Sequence, residues 1–163
     1  MDNEVVTEII FDYDDTLSPS TFLESNGYKL NNTNLLSPNL VELFKVLSQS
    51  IIKFTQLANS LGNLTIITNS RNGWIPLSAE KFIPDIANLM KTTKIKYARS
   101  DYENKYPHQP ITWKYFSFKN SLSDKFIKTN KIRQIISFGD SNAERDSMCE
   151  LSKEFKNTYF KSI

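Results

Sequence analysis

Short apolar runs alternate with longer amphipathic stretches along this chain. Apolar or β-branched residues predominate in 5–11, 64–68 and 134–138, and each run has the length of one buried strand. Between the first two runs, apolar side chains recur every three or four residues from Leu40 to Leu61, which is the spacing of a helix. Strands that alternate with helices predict βαβ units and a parallel sheet.

The long amphipathic stretch also carries start and stop signals. Ser37 can cap the amino end of a helix, Pro38 suits its first position, and Gly62 can end it. We therefore predict a helix over 37–62.

The same signals give the remaining elements. We expect a loop over 18–36, a helix over 75–90 interrupted at Pro84, a weak strand over 94–98, a loop over 99–110, and helices over 112–128 and 144–155. A further strand begins at Thr158, and we expect either a short closing strand or a form of the protein truncated within it.

Size and composition set the class of protein. The 163 residues fit one domain over 1–163, and 39% apolar residues fit a globular core. Cys149 is the only cysteine, so no intrachain disulfide can form, and residues 2–4 are unlike the basic start of an export signal. No apolar run approaches a membrane span, and the net charge of +2 comes without a basic run that would indicate a nucleic-acid surface. We expect a cytoplasmic protein, and its oligomeric state stays open.

Three carboxylates directly follow the first predicted strand. Because side chains on a strand alternate with period 2, Asp12 and Asp14 face the same way, with Asp15 next to them. Like charges held this close are costly unless a cation or a reaction requires them. A polar turn after the strand is the alternative, since Asp is common in turns.

Polar triplets end two further strands. Thr68 to Ser70 follow the second apolar run, and Gly139 to Ser141 follow the third. In parallel sheets, ligands bind at the carboxyl ends of the strands. The sequence therefore predicts one site that combines these triplets with the Asp12 to Asp14 segment.

The apolar strand followed by Asp12-x-Asp14-x-Thr16-Leu17 resembles the first motif of the haloacid dehalogenase (HAD) superfamily. Thr68 would then be the second motif, and Asp140 with Glu144 the fourth, although Asp146 could replace Glu144. Some further stretches resemble a group of poorly characterised HAD-like proteins of protists and algae, from which no function can be carried over. They are Thr68-Asn69-Ser70 with Gly73-Trp74, Ala98-Arg99-Ser100, Trp113-Lys114, and Gly139-Asp140-Ser141 with Glu144-Arg145.

The third motif of that superfamily is a lysine. Lys114 lies in the first turn of the predicted helix that precedes the Asp140 strand, where the superfamily usually keeps this lysine. Lys105 and Lys119 are the alternatives, and a solvated surface lysine is the ordinary explanation for any of the three.

The resemblance implies a three-layer, Rossmann-like α/β fold with a central parallel sheet of about five strands and Asp12 on the central strand. It also implies a capless member, because 18–36 is too short for a folded cap and 37–62 belongs to the core. An open site of this kind suits a macromolecular substrate, or it needs a partner subunit as its lid, so the phosphorylated substrate is either a small molecule or a macromolecule.

The implied activity is a Mg²⁺-dependent phosphatase reaction through an aspartyl-phosphate. An ionised Asp can attack phosphorus without a base, and a divalent cation offsets the repulsion between the two anions. The resemblance makes Asp12 the nucleophile and Asp14 the acid and base, with Thr68 and Lys114 on the phosphoryl oxygens.

The same resemblance gives the metal ligands. Mg²⁺ would be held by Asp12, the backbone carbonyl of Asp14, and Asp140, while Glu144 would hold a metal-bound water or position the lysine. Oxygen ligands of this kind suit Mg²⁺. Candidate substrate contacts at the rim are Asn69, Thr21, Phe22, Tyr28, Arg71, Trp74 and Arg99, whereas ordinary packing or solvent exposure is the alternative for each.

Two rival functions stay open from the sequence. One is a catalytically weak HAD-fold protein that binds phosphorylated partners. The other is a receiver domain of the response-regulator type, which is also α/β with an Asp cluster and a Lys. In a receiver, the phosphorylated Asp normally ends a middle strand, whereas here no Asp ends the strand at Thr68.

Overall fold

The computed structural model describes residues 5–163. Five parallel strands form one sheet in the order β3-β2-β1-β4-β5. The strands are β1 (Val6–Phe11), β2 (Asn63–Thr68), β3 (Ile95–Tyr97), β4 (Arg133–Phe138) and β5 (Thr158–Ser162). The last residue of β1, Phe11, is in register with Ile66 of β2 and Phe138 of β4, so these strands end at similar levels.

Eight α-helices connect or flank the strands in the described part of the chain. They are α1 (Ser20–Ser25), α2 (Pro38–Leu61), α3 (Trp74–Phe82), α4 (Ala87–Thr92), α5 (Ala98–Tyr102), α6 (Pro110–Ser121), α7 (Asp124–Lys128) and α8 (Asn142–Ser152), with a single 3-10 turn at Pro84–Ile86. No helix within residues 5–163 is long and apolar enough to cross a membrane.

The alternation of side chains along β1 creates two cores. Ile9 and Phe11 belong to a core that includes buried residues of α2 and α3. Val6 and Ile10 belong to a second core, which includes buried residues of α6, α7 and α8. Helices therefore cover both faces of the sheet, and the predicted three-layer, Rossmann-like fold with five parallel strands is confirmed.

The predicted long helix is confirmed as α2. The Ser37 hydroxyl accepts a hydrogen bond from the Leu40 amide at 3.4 Å, and Pro38 is the first helical residue. The predicted last strand forms β5, which pairs with β4 along its length.

Several predicted boundaries were wrong. The 18–36 segment contains α1, and the 99–110 segment contains α5, because helices of five or six residues are too short to show a period. The predicted helix over 112–128 is two helices, since the Ser123 hydroxyl caps a new start by accepting from the Phe126 amide at 3.1 Å. The expectation about an export signal concerns residues 2–4, which lie outside the described residues.

The strand order differs from that of a receiver domain, one of the two alternatives left open by the sequence. A receiver domain has the doubly wound order 2-1-3-4-5, whereas this sheet has β1 at its centre, between β2 and β4. The strand order changes direction between β1 and β4, which places a topological switch point where Asp12 and Asp140 follow their strands.

Candidate active site

The carboxyl ends of three neighbouring strands carry the predicted site residues. Asp12 directly follows β1, Thr68 ends β2, and Asp140 follows β4 after one glycine. The amide of Asp12 donates to the carbonyl of Phe138 at 2.9 Å, which continues the pairing of β1 with β4 into the site.

Lys114 is at the centre of the site and is 1% exposed. Its Nζ lies 2.6 Å from Oδ1 of Asp12, 2.6 Å from Oε1 of Glu144 and 2.6 Å from the carbonyl oxygen of Ile67. These three acceptors match the three N–H groups of an ammonium. The lysine therefore holds two carboxylates that come from different elements.

The two alternative lysines lie elsewhere. Lys119 pairs with Glu154 at 2.6 Å on the surface, and exposed Lys105 lies over the ring of Tyr106. Of the three candidates, Lys114 alone contacts Asp12 in the described structure.

Glu144 is buried at the start of α8. The hydroxyl and amide of Ser141 both bond to its carboxylate, and together with the Ser141 cap they form a capping box. Gly139 is required here, because a Cβ at this position would overlap the Glu144 side chain. Burial alone would raise the pKa of Glu144, but the charge and hydrogen bond of Lys114, together with hydrogen bonds from Ser141 and the backbone, outweigh it, and the pKa is lowered. Asp146, the alternative acid, pairs instead with Arg145 at 3.1 Å.

Burial dominates the electrostatics of Asp12. Loss of solvent raises its pKa from 3.8 to about 6, although Lys114 opposes this change and the nearby charge of Glu144 adds to it. Burial also raises the pKa of Asp140. Ionisation of Asp12 and Asp140 is therefore less favourable than in water, whereas ionisation of Glu144 is more favourable.

Asp12, Asp140 and Glu144 form a group that could hold a metal ion. Each offers one carboxylate oxygen, and these oxygens lie within 4.8 Å of one another. Three oxygen donors without nitrogen or sulfur fit a hard cation such as Mg²⁺. The Asp14 carboxylate is not in this group, and the predicted role of its backbone carbonyl stays a prediction.

The Asp14 carboxylate is instead surrounded by hydrogen-bond donors. Oδ1 accepts from the Ser20 hydroxyl at 2.6 Å and from Nε1 of Trp74 at 2.7 Å. Oδ2 accepts from the Thr68 hydroxyl at 3.1 Å and from the Ser70 hydroxyl at 2.5 Å. Four donors fix the orientation of this carboxylate relative to β2, α1 and α3.

Thr68 and Asn69 have different surroundings. The Thr68 hydroxyl is fully buried and also accepts from the Ser70 amide at 2.9 Å, so it supports the Asp14 arrangement. The Asn69 amide group donates weakly to the Pro110 carbonyl at 3.4 Å, while its Oδ1 is buried without a partner among the described residues.

A cavity of about 540 Å³ opens beside Asp14. The rim residues predicted from the sequence line it with one exception, since Phe22 is not among the lining residues. The predicted rim residues that line the cavity are Asn69, Thr21, Tyr28, Arg71, Trp74 and Arg99.

Two hydrogen-bond donors to Asp14, the hydroxyls of Ser20 and Ser70, were not predicted from the sequence. Ser20 was placed in a loop, and Ser70 was counted only as part of a polar triplet. Trp74 was considered a rim contact, not a hydrogen-bond donor to an acid. The usable signal was that Ser70 belongs to the polar triplet that directly follows β2, next to Thr68.

Comparisons with models of protein families, with curated proteins and with solved structures find no match for this chain. Function is therefore inferred from the arrangement of the side chains and from the motif resemblance.

Proposed function

We propose that this protein is a Mg²⁺-dependent phosphatase of the HAD type, which hydrolyses a phosphate monoester through an aspartyl-phosphate on Asp12. The observation that carries the proposal is the ion-pair bridge from Lys114 to Asp12 and Glu144. This bridge joins the proposed nucleophile to Glu144, and the Asp140 carboxylate lies close to both. The three acids lie at a topological switch point, where α/β proteins bind their ligands.

In the first step, an oxygen of Asp12 attacks phosphorus and the bond from phosphorus to the ester oxygen breaks. Lys114 bonds to Oδ1 of Asp12, which leaves Oδ2 as the attacking atom. The protonated carboxyl of Asp14 gives its proton to the departing oxygen, and the alcohol leaves.

In the second step, a water attacks phosphorus of the aspartyl-phosphate. The Asp14 carboxylate takes a proton from this water, the bond from phosphorus to the Asp12 oxygen breaks, and the Asp12 carboxylate is restored. The sum is ester plus water giving alcohol plus inorganic phosphate.

Asp12, Asp140 and Glu144 would hold the Mg²⁺, as the close approach of their carboxylate oxygens supports. Bound there, the ion supplies positive charge that offsets the repulsion between a phosphoryl group and a carboxylate nucleophile. Lys114 adds a fixed positive charge at the same place, although one of its three present partners must be exchanged before it can bind a phosphoryl oxygen.

As the proposed general acid, Asp14 must be protonated before the first step. Four groups donate hydrogen bonds to the Asp14 carboxylate, so in the acid form one hydroxyl must rotate and accept a hydrogen bond instead. The hydroxyls of Ser20, Thr68 and Ser70 can do this, whereas the indole of Trp74 can only donate.

The test is hydrolysis of 4-nitrophenyl phosphate with Mg²⁺, with EDTA, and by the Asp12→Asn variant. We expect turnover that requires both the metal and Asp12, and the Asp146→Asn variant should keep full activity because Asp146 lies outside the site. Turnover that survives in Asp12→Asn would overturn the assignment of the nucleophile. Absence of turnover in the wild-type protein would favour the alternative, a HAD-fold protein that binds phosphorylated partners.

A further inference from the structure

We propose that the cavity beside Asp14 binds the leaving group of a small phosphate monoester, one with an aromatic or apolar body and a second negative charge. This inference rests on the proposed phosphatase function. The occupant is a small molecule, in contrast to the macromolecular substrate that a capless site suggests from sequence.

The cavity has apolar walls on two sides. Leu23 of α1, Tyr28 and Leu30 form one side, and Trp74 and Phe82 of α3 contribute the other. Leu23 and Phe82 are buried and belong to the core on this face of the sheet. Ring and alkyl surfaces of this kind favour an apolar or aromatic ligand body.

The wall that contains Tyr28 and Leu30 is fixed to the rest of the protein. The ammonium of Lys81 on α3 donates to the carbonyls of Lys29 and Asn32, each at 2.5 Å, and more weakly to that of Leu30 at 3.4 Å. A lysine that bonds to several carbonyls of one segment holds that segment in place. The cavity is therefore preformed, as small-molecule sites usually are.

Hydrogen bonds to Asp15 also hold the start of α1 in place. The amide of Thr21 donates to Oδ1 of Asp15 at 2.8 Å, and its hydroxyl donates to the other carboxylate oxygen. The side chain of Asn32 also donates to the Gly27 carbonyl at 2.7 Å. These local bonds give the segment over 18–36 a defined shape, although it is too short for a domain.

The position of the cavity decides which part of a substrate it would hold. Asp14 lines the cavity, whereas Asp12, Asp140 and Glu144 do not. In the proposed reaction Asp14 protonates the ester oxygen. The group attached to that oxygen must therefore lie near Asp14. The cavity therefore suits the alcohol or phenol part of the ester and not the phosphoryl group.

The size of the cavity favours a small molecule. Its volume of about 540 Å³ lies within the range of roughly 300–1,000 Å³ that is common for small-molecule sites. An aromatic ring with one or two substituents fits within such a volume.

The rim of the cavity has two cationic side chains that are not directly paired, although Arg71 lies near enough to Glu103 to lower the pKa of that acid. The exposed cationic groups of Lys29 and Arg71 make no side-chain hydrogen bond or ion pair with any residue of 5–163. Arg99, by contrast, is paired with Glu103 at 2.7 Å. The lining also includes three acids, Asp14, Asp15 and Glu24, so its charges balance as a whole. Arg71 and Lys29 nevertheless offer cationic groups that no carboxylate binds directly, and these favour a second anion on the ligand.

Binding of non-hydrolysable phosphonates tests the inference. Methylphosphonate, benzylphosphonate and 4-carboxybenzylphosphonate are titrated into the wild-type protein with Mg²⁺ by isothermal titration calorimetry. We expect benzylphosphonate to bind about tenfold more tightly than methylphosphonate, because the ring is buried. The carboxylate should add about fivefold, as an exposed ion pair does.

Two variants assign these gains to the cavity. Arg71→Gln should remove the gain from the carboxylate, and Tyr28→Ala should reduce the gain from the ring. Lys53→Gln on the surface of α2 and Tyr159→Ala on β5 are the matched controls, and both should bind the three compounds as the wild type does.

The outcomes separate this inference from the proposed function. Equal affinities for the three phosphonates, in a protein whose turnover requires Asp12 and Mg²⁺, would overturn the cavity inference and leave the phosphatase function standing. Ring and carboxylate gains that depend on Tyr28 and Arg71, in a protein without turnover, would support the cavity as a binding site and overturn the proposed reaction.

Discussion

Nε1 of Trp74 donates a hydrogen bond of 2.7 Å to Oδ1 of Asp14, from the first residue of α3 to the segment that follows β1. An indole N–H can only donate, so it favours a lone pair on Oδ1. This donor favours the proton of the acid form on Oδ2, where two hydroxyls, of Thr68 and Ser70, can accept, over Oδ1, where only the Ser20 hydroxyl can. We infer that Trp74 positions the proposed general acid.

The Trp74→Phe variant keeps the ring and removes this donor. We expect kcat/KM for phenyl phosphate to fall about tenfold, because a hydrogen bond to a charged group is lost. The loss for 4-nitrophenyl phosphate should be much smaller, since its leaving group needs little protonation. Trp113→Phe is the control, because the Trp113 indole bonds to the Tyr106 carbonyl instead. Equal losses for the two substrates would contradict a role of Trp74 in placing the acid.

The Lys114→Met variant should be strongly destabilised. It leaves the buried carboxylates of Asp12 and Glu144 without their shared cation, and breaking a buried ion pair in this way costs about 3–5 kcal/mol. Lys119→Met removes a surface pair and should cost less than about 1 kcal/mol. Urea unfolding at pH 7 without metal measures both, and similar losses for the two variants would contradict the central role of Lys114.

The Gly139→Ala variant tests the metal group. Its Cβ would overlap Glu144, so the carboxylate must move away from Asp12 and Asp140. We expect the affinity for Mg²⁺ to fall at least about tenfold, as loss of a supporting contact in metal sites does. At Gly73, where φ is +86° and a Cβ would meet no atom within 4 Å, an alanine should strain the backbone and leave the affinity unchanged. Calorimetric titration with Mg²⁺ distinguishes the two, and an unchanged affinity in Gly139→Ala would remove Glu144 from the site.

The raised pKa of Asp12 predicts a pH-dependent effect of Asp12→Asn on stability. Well below pH 3.8, Asp12 is neutral in both the folded and the unfolded protein, so the variant should change stability little. Between pH 4 and pH 6 the unfolded protein releases this proton before the folded one does, so the Asp12 contribution to stability falls as pH rises. Above pH 6, Asp12→Asn should gain up to about 3 kcal/mol over the wild type, the upper limit that a pKa change from 3.8 to about 6 allows. Unlike Lys114→Met, this variant leaves no buried charge unpaired, because Lys114 keeps Glu144, and burial of the Asp12 carboxylate costs more than its attraction to Lys114 returns.

The measurement is the free energy of unfolding in EDTA, for wild type and Asp12→Asn, between pH 4 and pH 7.5. Asp146→Asn is the charge-matched control, because this carboxylate is partly exposed on α8 and pairs with Arg145, away from Asp12. A gain for Asp12→Asn that is largest at pH 4 would reverse the predicted sign.

The Lys81→Met variant should loosen the wall of the cavity. Without the ammonium, the carbonyls of Lys29 and Asn32 lose their shared donor. We expect the amides of Tyr28 and Asn32 to exchange with solvent at least about tenfold faster in hydrogen-exchange measurements, because local opening becomes easier. Lys91→Met breaks a surface pair with Glu80 and should leave these amides unchanged. Unchanged exchange in Lys81→Met would show that packing alone holds the wall.

The amino-acid sequence by itself determined the architecture and the position of the site at the carboxyl ends of the strands. Apolar runs end at Asp12, Thr68 and Asp140, and parallel strands joined by helices must bring their carboxyl ends to one edge of the sheet. The cap at Ser37 likewise fixed the start of α2 from neighbouring residues alone. Such features depend on local periodicity and chain direction, which a sequence states directly. The short helices α1 and α5 were not predicted, because five or six residues are too few to show a helical pattern of apolar positions.

Only the tertiary structure decided which side chains meet. Lys114 and Asp12 are 102 residues apart, and choosing Lys114 over Lys119 requires knowing which face of α6 lies on the sheet. The pattern of α6 is uninformative on this point, because polar and apolar residues are mixed around the helix and a lysine is buried among them. The donors to Asp14 from α3 and the cavity beside it depend in the same way on how separate elements pack. Distances between such elements follow from the packing of the whole core, which no single stretch of the sequence specifies.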